Sequence, residues 1–287
     1  MGGECLDIHP HLFEICYVYE KGENEMYLEL NDVSLFYEVR GEGEPLLLIH
    51  GLSVDSWFYE NTAQILSRFY KVITYDRRGN SRSQAKTDLD CSVERQSMDV
   101  KELLDALDIS EVTIVGASAG SIIGEKFLEQ YPERVKKLIM YEAPIVGMME
   151  DPEIHQWIED MDDLIARRKY STALLKFMQS IASTDTRGPK KPEEVVRREM
   201  NNMKQCLETE FDIFIRHVPD LELSRKYADK ITVAVGEKSN DTMYVRAAIG
   251  YAEAIGAELL YYPGYHNLPC DLPKEFAICV LGTLMVG

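Results

Sequence analysis

The residues best suited to chemistry in this chain are a serine held between small residues and a histidine set in a late loop. Gly116-Ala117-Ser118-Ala119-Gly120 lies between the strand-like "VTIVGAS" and a helical stretch over residues 122–130. A serine on a sharp, strained strand-to-helix turn needs small residues two positions before and after it. Strand and helix then approach closely while the hydroxyl stays exposed. The following helix also aims backbone N–H groups at the same point. His50-Gly51 closes the apolar run 46–49, in a position to bring the N–H of Leu52 beside that of Ala119. Two such donors form an oxyanion hole, each typically worth about 10²–10³ in rate. His50 itself is expected to be a packed, structural residue.

A serine needs a base. Of six histidines, His9 and His11 lie near the start, and His155 and His217 fall in helical segments on the polar or boundary side. His266 stands in "PGYHNLP", a Gly/Pro loop just past the strand-like "AELLYYPG". That puts it at a strand end, where it can reach the nucleophile and take its proton. Its order after the serine fits a nucleophile, acid, histidine arrangement.

The elements that must position these groups follow from periodicity. "MYLELNDVSLFYEVR" reads as a hairpin around Asn31-Asp32, and residues 46–49 and "KVITYD" as buried strands. "WFYENTAQILSRFY" reads as helical, and "SVERQSMDVKELLDALDIS" sets Val100, Leu103, Leu104 and Leu107 on one helix face. Strand and helix then alternate through "VKKLIMYEAP". Continuous apolar strands between amphipathic helices argue for a parallel sheet covered on both faces. From about residue 147 to 228 the alternation stops and the pattern is helical, with Pro152 in a first turn and a polar break, "TDTRGPKKP". This stretch is expected to be an inserted helical cap. Trp157, Met161, Met200 and Met203 are pocket candidates within it, although apolar residues at helical spacing more often pack a core. Alternation resumes with "ITVAVGE", "YVRAAIGYAEAIG", "AELLYYPG" and a last helix from Pro273. The domains expected are an N-terminal extension over 1–22, a core over 23–146 and 229–287, and a cap over 147–228.

Composition narrows the function classes. With 31 basic against 49 acidic side chains the net charge is −18, which opposes binding to a nucleic-acid backbone. Glu4, Asp7, Glu14 and Glu20 do not fit a signal peptide, and residues 276–287 are too short to span a bilayer. The expectation is a cytoplasmic protein with no membrane partner. Six scattered cysteines, with no CxxC pair, read as reduced structural thiols, and Cys5 near His9 and His11 matches no familiar metal spacing.

Taken together, His50-Gly51, "YDRRGNSRS", "GASAG", "PERV", "VGE" and "PGYHNLP" resemble, in joint order, the α/β-hydrolase fold superfamily. The resemblance implies an eight-stranded, mostly parallel sheet with a helical cap after the sixth strand and a Ser, acid, His triad. It also implies that "YDRRGNSRS" is structural, with Asp76 holding a turn. Binding of a substrate carboxylate by Arg77 or Arg78 is the alternative. Many relatives carry the acid three residues after the glycine of the late strand, where this chain has Ser239. A hydroxyl cannot hold an imidazolium by charge. Asp241 lies two residues further on, and Glu237 is adjacent to the glycine. The other candidate is Glu142 in "LIMYEAP", 24 residues past Ser118 at the next strand end. This resembles the acid placement of some haloalkane dehalogenases. Glu142 is preferred, with Asp241 as the alternative.

These residues point to a serine hydrolase of an ester, lactone or related acyl compound, working through an acyl-enzyme without a cofactor. Carbon–carbon bond hydrolysis or perhydrolysis by the same triad is a second reading. A ligand receptor that does not turn over is a third. The partner expected is a small acyl substrate; the sequence does not fix an oligomeric state.

Overall fold

The computed structural model describes residues 25–86, 89–181 and 188–286; the expected extension over 1–22, with Cys5, His9, His11 and Cys16, lies outside them. The chain begins with the antiparallel pair β1 (Glu25–Glu29) and β2 (Val33–Arg40), followed by β3 (Pro45–Ile49), α1 (Glu60–Leu66), β4 (Lys71–Tyr75) and the two-residue β5 (Gln84–Ala85). Then come α2 (Val93–Ala106), β6 (Val112–Ala117), α3 (Ala119–Gln130) and β7 (Val135–Tyr141). Among the described residues, five α-helices follow without a strand: α4 (Pro152–Ala166), α5 (Tyr170–Ser180), α6 (Glu193–Gln205), α7 (Phe211–Ile215) and α8 (Leu221–Lys226). The chain closes with β8 (Ile231–Gly236), α9 (Met243–Ile255), β9 (Glu258–Tyr262), α10 (Leu268–Asp271) and α11 (Pro273–Val286).

Eight strands form the path β1-β2-β4-β3-β6-β7-β8-β9, and β5 adds a short antiparallel edge on β2. From β4 to β9 every pairing is parallel. Every residue of β6 and β8 is buried, as expected where both sheet faces are covered. The period of two sorts side chains between those faces. Leu47 and Ile49 join Leu103, Ile122 and Tyr251 under α2, α3 and α9, whereas Leu46 and Leu48 join Ile65, Phe276 and Val280 under α1 and α11. Each such buried aliphatic side chain contributes about 1.5–3 kcal/mol.

The helices between β7 and β8 build a core of their own. Ile154, Ile158 and Met161 of α4, at helical spacing, pack with Phe177, Leu207 and Phe211. Asp151 accepts from the N–H groups of Glu153 and Ile154 and, with Pro152 in the first turn, starts α4. The stretch is not helical throughout: α4 ends at Ala166, and α6 runs into a π-helical turn, Cys206–Glu210, before α7. Met161 is buried core, Met200 is exposed, and only Met203 of the four pocket candidates borders the cavity next to Ser118. Trp157 lies against Phe211.

Buried polar ties hold these helices to the sheet. Arg198 of α6 donates to Asp55 (2.7 Å), and Asn202 donates to the Val54 carbonyl while accepting from the Ser81 N–H. Arg77, two residues past β4, pairs with Glu210 at 2.6 Å, both side chains fully buried.

Candidate active site

Ser118 follows β6 directly and has φ 54° and ψ −128°, a conformation that costs a non-glycine residue about 1–3 kcal/mol. The surroundings impose it. The Ser118 N–H donates to the Tyr141 carbonyl (2.9 Å), and the Ser121 N–H donates back to the Ser118 carbonyl (2.9 Å). A Cβ on Gly116 would lie 2.5 Å from the Gly120 carbonyl oxygen, and one on Gly120 would lie 2.0 Å from that of Ile49. Both positions are therefore closed to any side chain. The loop after β3 runs close to the serine, since a Cβ on Gly51 would meet the Ser118 Cβ at 2.9 Å and its Oγ at 3.4 Å. Ala119 is the first residue of α3, so its N–H has no acceptor within the helix. Leu52 borders the same cavity as Ser118.

His266 lies in the loop after β9. The Tyr141 hydroxyl donates to the neighbouring Tyr265 carbonyl (2.6 Å), and the Lys238 N–H to that of Gly264 (2.9 Å). Its ring lies against that of Tyr244, tilted by 31° with centroids 5.3 Å apart, and it borders the cavity that Ser118 borders. Nδ1 of His266 is 2.6 Å from Oε2 of Glu142. With Nδ1 donating there, Nε2 is left to act as base toward a hydroxyl.

Glu142 sits one residue past β7 with φ 46°, and its N–H donates to the Ala234 carbonyl (2.8 Å). Its carboxylate is fully buried, and the second oxygen, Oε1, accepts from the Gly236 N–H at 2.9 Å. Burial acts most strongly on this group and pushes its pKa upward. The hydrogen bond and charge of His266, with Ser239 and the Gly236 N–H, outweigh it and hold the carboxyl below its ordinary value. Ser239, at the position where many relatives have the acid, is fully buried. Its hydroxyl makes no well-formed hydrogen bond, yet it lies beside the same carboxylate, because a Cβ on Gly236 would touch Ser239 Oγ and Glu142 Oε1 alike at 2.8 Å.

The other candidates lie elsewhere. The Asp241 side chain is 84% exposed and faces Arg246 at 3.6 Å, and Glu237 is exposed. His155 is exposed and bonded to the Met149 carbonyl. His217, expected in a helix on its polar or boundary side, instead lies past the end of α7 and is buried against Glu125 of α3 (3.3 Å). His50 is fully buried: one ring nitrogen lies 2.9 Å from the Gly51 carbonyl and the other accepts from the Arg77 N–H at 3.0 Å. Burial, then the Arg77 charge, pull its pKa down to about 3, so it stays neutral and holds the loop. Asp76 accepts from the Ser56 N–H and from Arg82, and thereby holds its turn. Arg77 and Arg78 are spent on Glu210 and on Asp99 and Asp32, which leaves neither for a substrate carboxylate.

Among the described residues, two cavities meet at Ser118 and His266. The larger, about 140 Å³, is bordered by Phe58, Phe177 and Met203 and carries the ion pair Lys191–Glu199 (2.7 Å). The smaller, about 20 Å³, is bordered by Pro144, Phe211, Phe214, Ile215 and Tyr244. Burial pushes the Cys270 thiol, in the larger cavity, up to about 12, so it is no nucleophile at neutral pH. Lys191 and Glu199 carry no sequence signal and look like surface charges until α6 is laid over the site.

Residues 44–190 match the model of the alpha/beta hydrolase fold family, and the chain belongs to that family. It is an α/β-fold hydrolase. It is 27% identical to the uncharacterised hydrolase YraK of Bacillus subtilis over 259 residues, 88% of this chain and 93% of that protein. Among solved structures it is similar to a thermophilic esterase from Thermogutta terrifontis, with a TM-score of 0.69 and 18% identity over 91% of this chain and 98% of the esterase. It is equally similar to Est816, an N-acyl homoserine lactone degrading enzyme, with a TM-score of 0.69 and 22% identity over 90% and 99% of the two chains.

Proposed function

We propose that the protein is a cytoplasmic serine hydrolase that cleaves an ester, a lactone or a related acyl bond through an acyl-enzyme. The observation that carries this reading is the buried His266–Glu142 pair, 2.6 Å apart, whose histidine borders one cavity with the strained Ser118. His266 takes the Ser118 proton as Oγ attacks the carbonyl, and the Leu52 and Ala119 N–H groups receive the oxyanion. The imidazolium, held by the ionised Glu142, then protonates the leaving group. Water, activated by the same histidine, releases the acid and restores the serine. A lactone opens by the same steps, with its own alkoxide as leaving group. The free, buried cysteines Cys91, Cys206 and Cys270 support a reducing compartment.

Two measurements test this. Ser118 should take a fluorophosphonate label, and Ser118→Ala should lose label and at least 10³-fold in p-nitrophenyl acetate hydrolysis with unchanged circular dichroism. Labelling elsewhere, or full activity in the variant, rejects the assignment.

A further inference from the structure

We infer that the enzyme is built for short acyl groups, of about two carbons, carried on a larger alcohol with a neutral polar end. This rests on the acyl-enzyme reading above and adds the substrate class. The two substituents of a carbonyl attacked by Ser118 must enter two different spaces, and the spaces at this serine are very unequal. A cavity of about 150 Å³ holds a benzene-sized ring, whereas a single water-sized group needs roughly 10–15 Å³. By that measure the space of about 20 Å³ takes one methyl-sized group and the space of about 140 Å³ takes a ring.

Exit routes decide which substituent goes where. After acylation the alcohol must leave and water must enter while the acyl group stays. The small cavity is walled by Pro144, Phe211, Phe214, Ile215 and Tyr244, all buried. The large one is bordered by Met178, which is 45% exposed, and so opens toward solvent. The acyl group therefore belongs in the space walled by buried aromatic and aliphatic side chains, and the alcohol in the one that reaches exposed Met178. The far end of the alcohol meets Lys191 and Glu199, already joined in an ion pair, with the Lys191 ammonium 5.9 Å from the Trp57 ring. A charged end would meet one of the two with like sign. A neutral hydroxyl, ether or amide can donate to one and accept from the other.

A pair of isomeric esters with similar leaving alcohols tests the assignment. For the purified full-length protein, kcat/KM for benzyl acetate should exceed that for methyl phenylacetate at least tenfold, and p-nitrophenyl acetate should exceed p-nitrophenyl butyrate by a similar factor. Equal or inverted preference, or hydrolysis of neither isomer by protein whose Ser118 takes the fluorophosphonate label, overturns the inference and leaves the serine mechanism standing. Absence of the label at Ser118 rejects the mechanism itself. Ile215→Ala should then raise butyrate relative to acetate about tenfold, with the smaller change Ile215→Val moving the ratio the same way if the alanine variant does not fold. An unchanged ratio in a folded variant counts against the small cavity as the acyl site.

Discussion

Nδ1 of His266 and Oε2 of Glu142 stand 2.6 Å apart although 124 residues separate them, and Oε1 of the same carboxylate is held by the Gly236 N–H. The carboxylate is thus fixed at both oxygens and keeps its charge in spite of burial, as the imidazolium of a triad requires. Glu142→Gln should lower kcat for p-nitrophenyl acetate by about 10²–10⁴, since an amide cannot balance that charge and can present the wrong hydrogen-bonding face. Asp241→Asn, at an exposed position, should stay within about twofold of the parent. Steady-state kinetics on the two variants checks this, and a larger loss in Asp241→Asn would reverse the choice of acid.

Ser239 adjoins the same carboxylate, which makes position 239 a second berth for an acid. Ser239→Asp alone should lower activity near pH 6–7 and shift its onset to higher pH, because two buried carboxylates in contact share a proton. In a Glu142→Gln background the same change should restore at least tenfold of the lost kcat. No recovery in a folded double variant would show that a carboxylate at 239 does not reach His266.

The covering helices are tied to the sheet through charge, so that contact is sensitive to a single deletion. Glu210→Ala leaves the guanidinium of Arg77 buried without its partner and should cost about 3–5 kcal/mol, read as a lower urea midpoint. Glu210→Gln, which keeps an acceptor, should cost less. A loss below 1 kcal/mol in the alanine variant would mean that water reaches Arg77.

His50 sets part of the acid limit. Burial pulls its folded pKa down to about 3, against about 6.5 when unfolded, so the unfolded chain binds the extra proton between those values. Its contribution is fully present above pH 6.5 and is lost as pH falls toward 3, at up to about 1.4 kcal/mol per pH unit. His50→Gln should be about 2 kcal/mol less stable than the parent at pH 7.5, through the hydrogen bonds it loses. That gap should shrink by about 2 kcal/mol at pH 5, as the parent loses stability and the variant does not. Urea denaturation at the two pH values measures it, and an unchanged gap contradicts a buried neutral His50.

Much of the fold was legible because its signals are local. Period-two and continuous apolar runs marked each long strand, and 3.6-residue periodicity marked α2 and α4. The two-residue β5 and the π turn at Cys206 carry no such pattern, because strand pairing and packing define them. The serine was legible for the same reason: Gly116 and Gly120 must be small wherever that turn forms. The misjudged residues were those whose setting depends on distant chain. His217 reads as a boundary residue of a helix, yet it lies past the end of α7 and is buried against Glu125 of α3.

The sequence alone determined the sheet's strands, the strained turn at Ser118 and a loop histidine near the end, since each follows from residue types within a few positions of one another. It left the acid open between Glu142 and Asp241, and it gave no view of the two unequal cavities. Tertiary structure brings Glu142 to His266 by pairing β7 with β8 and β8 with β9, and sets Phe211, Phe214 and Ile215 against the serine by folding α7 over the sheet edge. The spacing of residues along one element is fixed by its backbone geometry. Which side chains meet across elements depends on register and packing over the whole chain, and no short stretch encodes that.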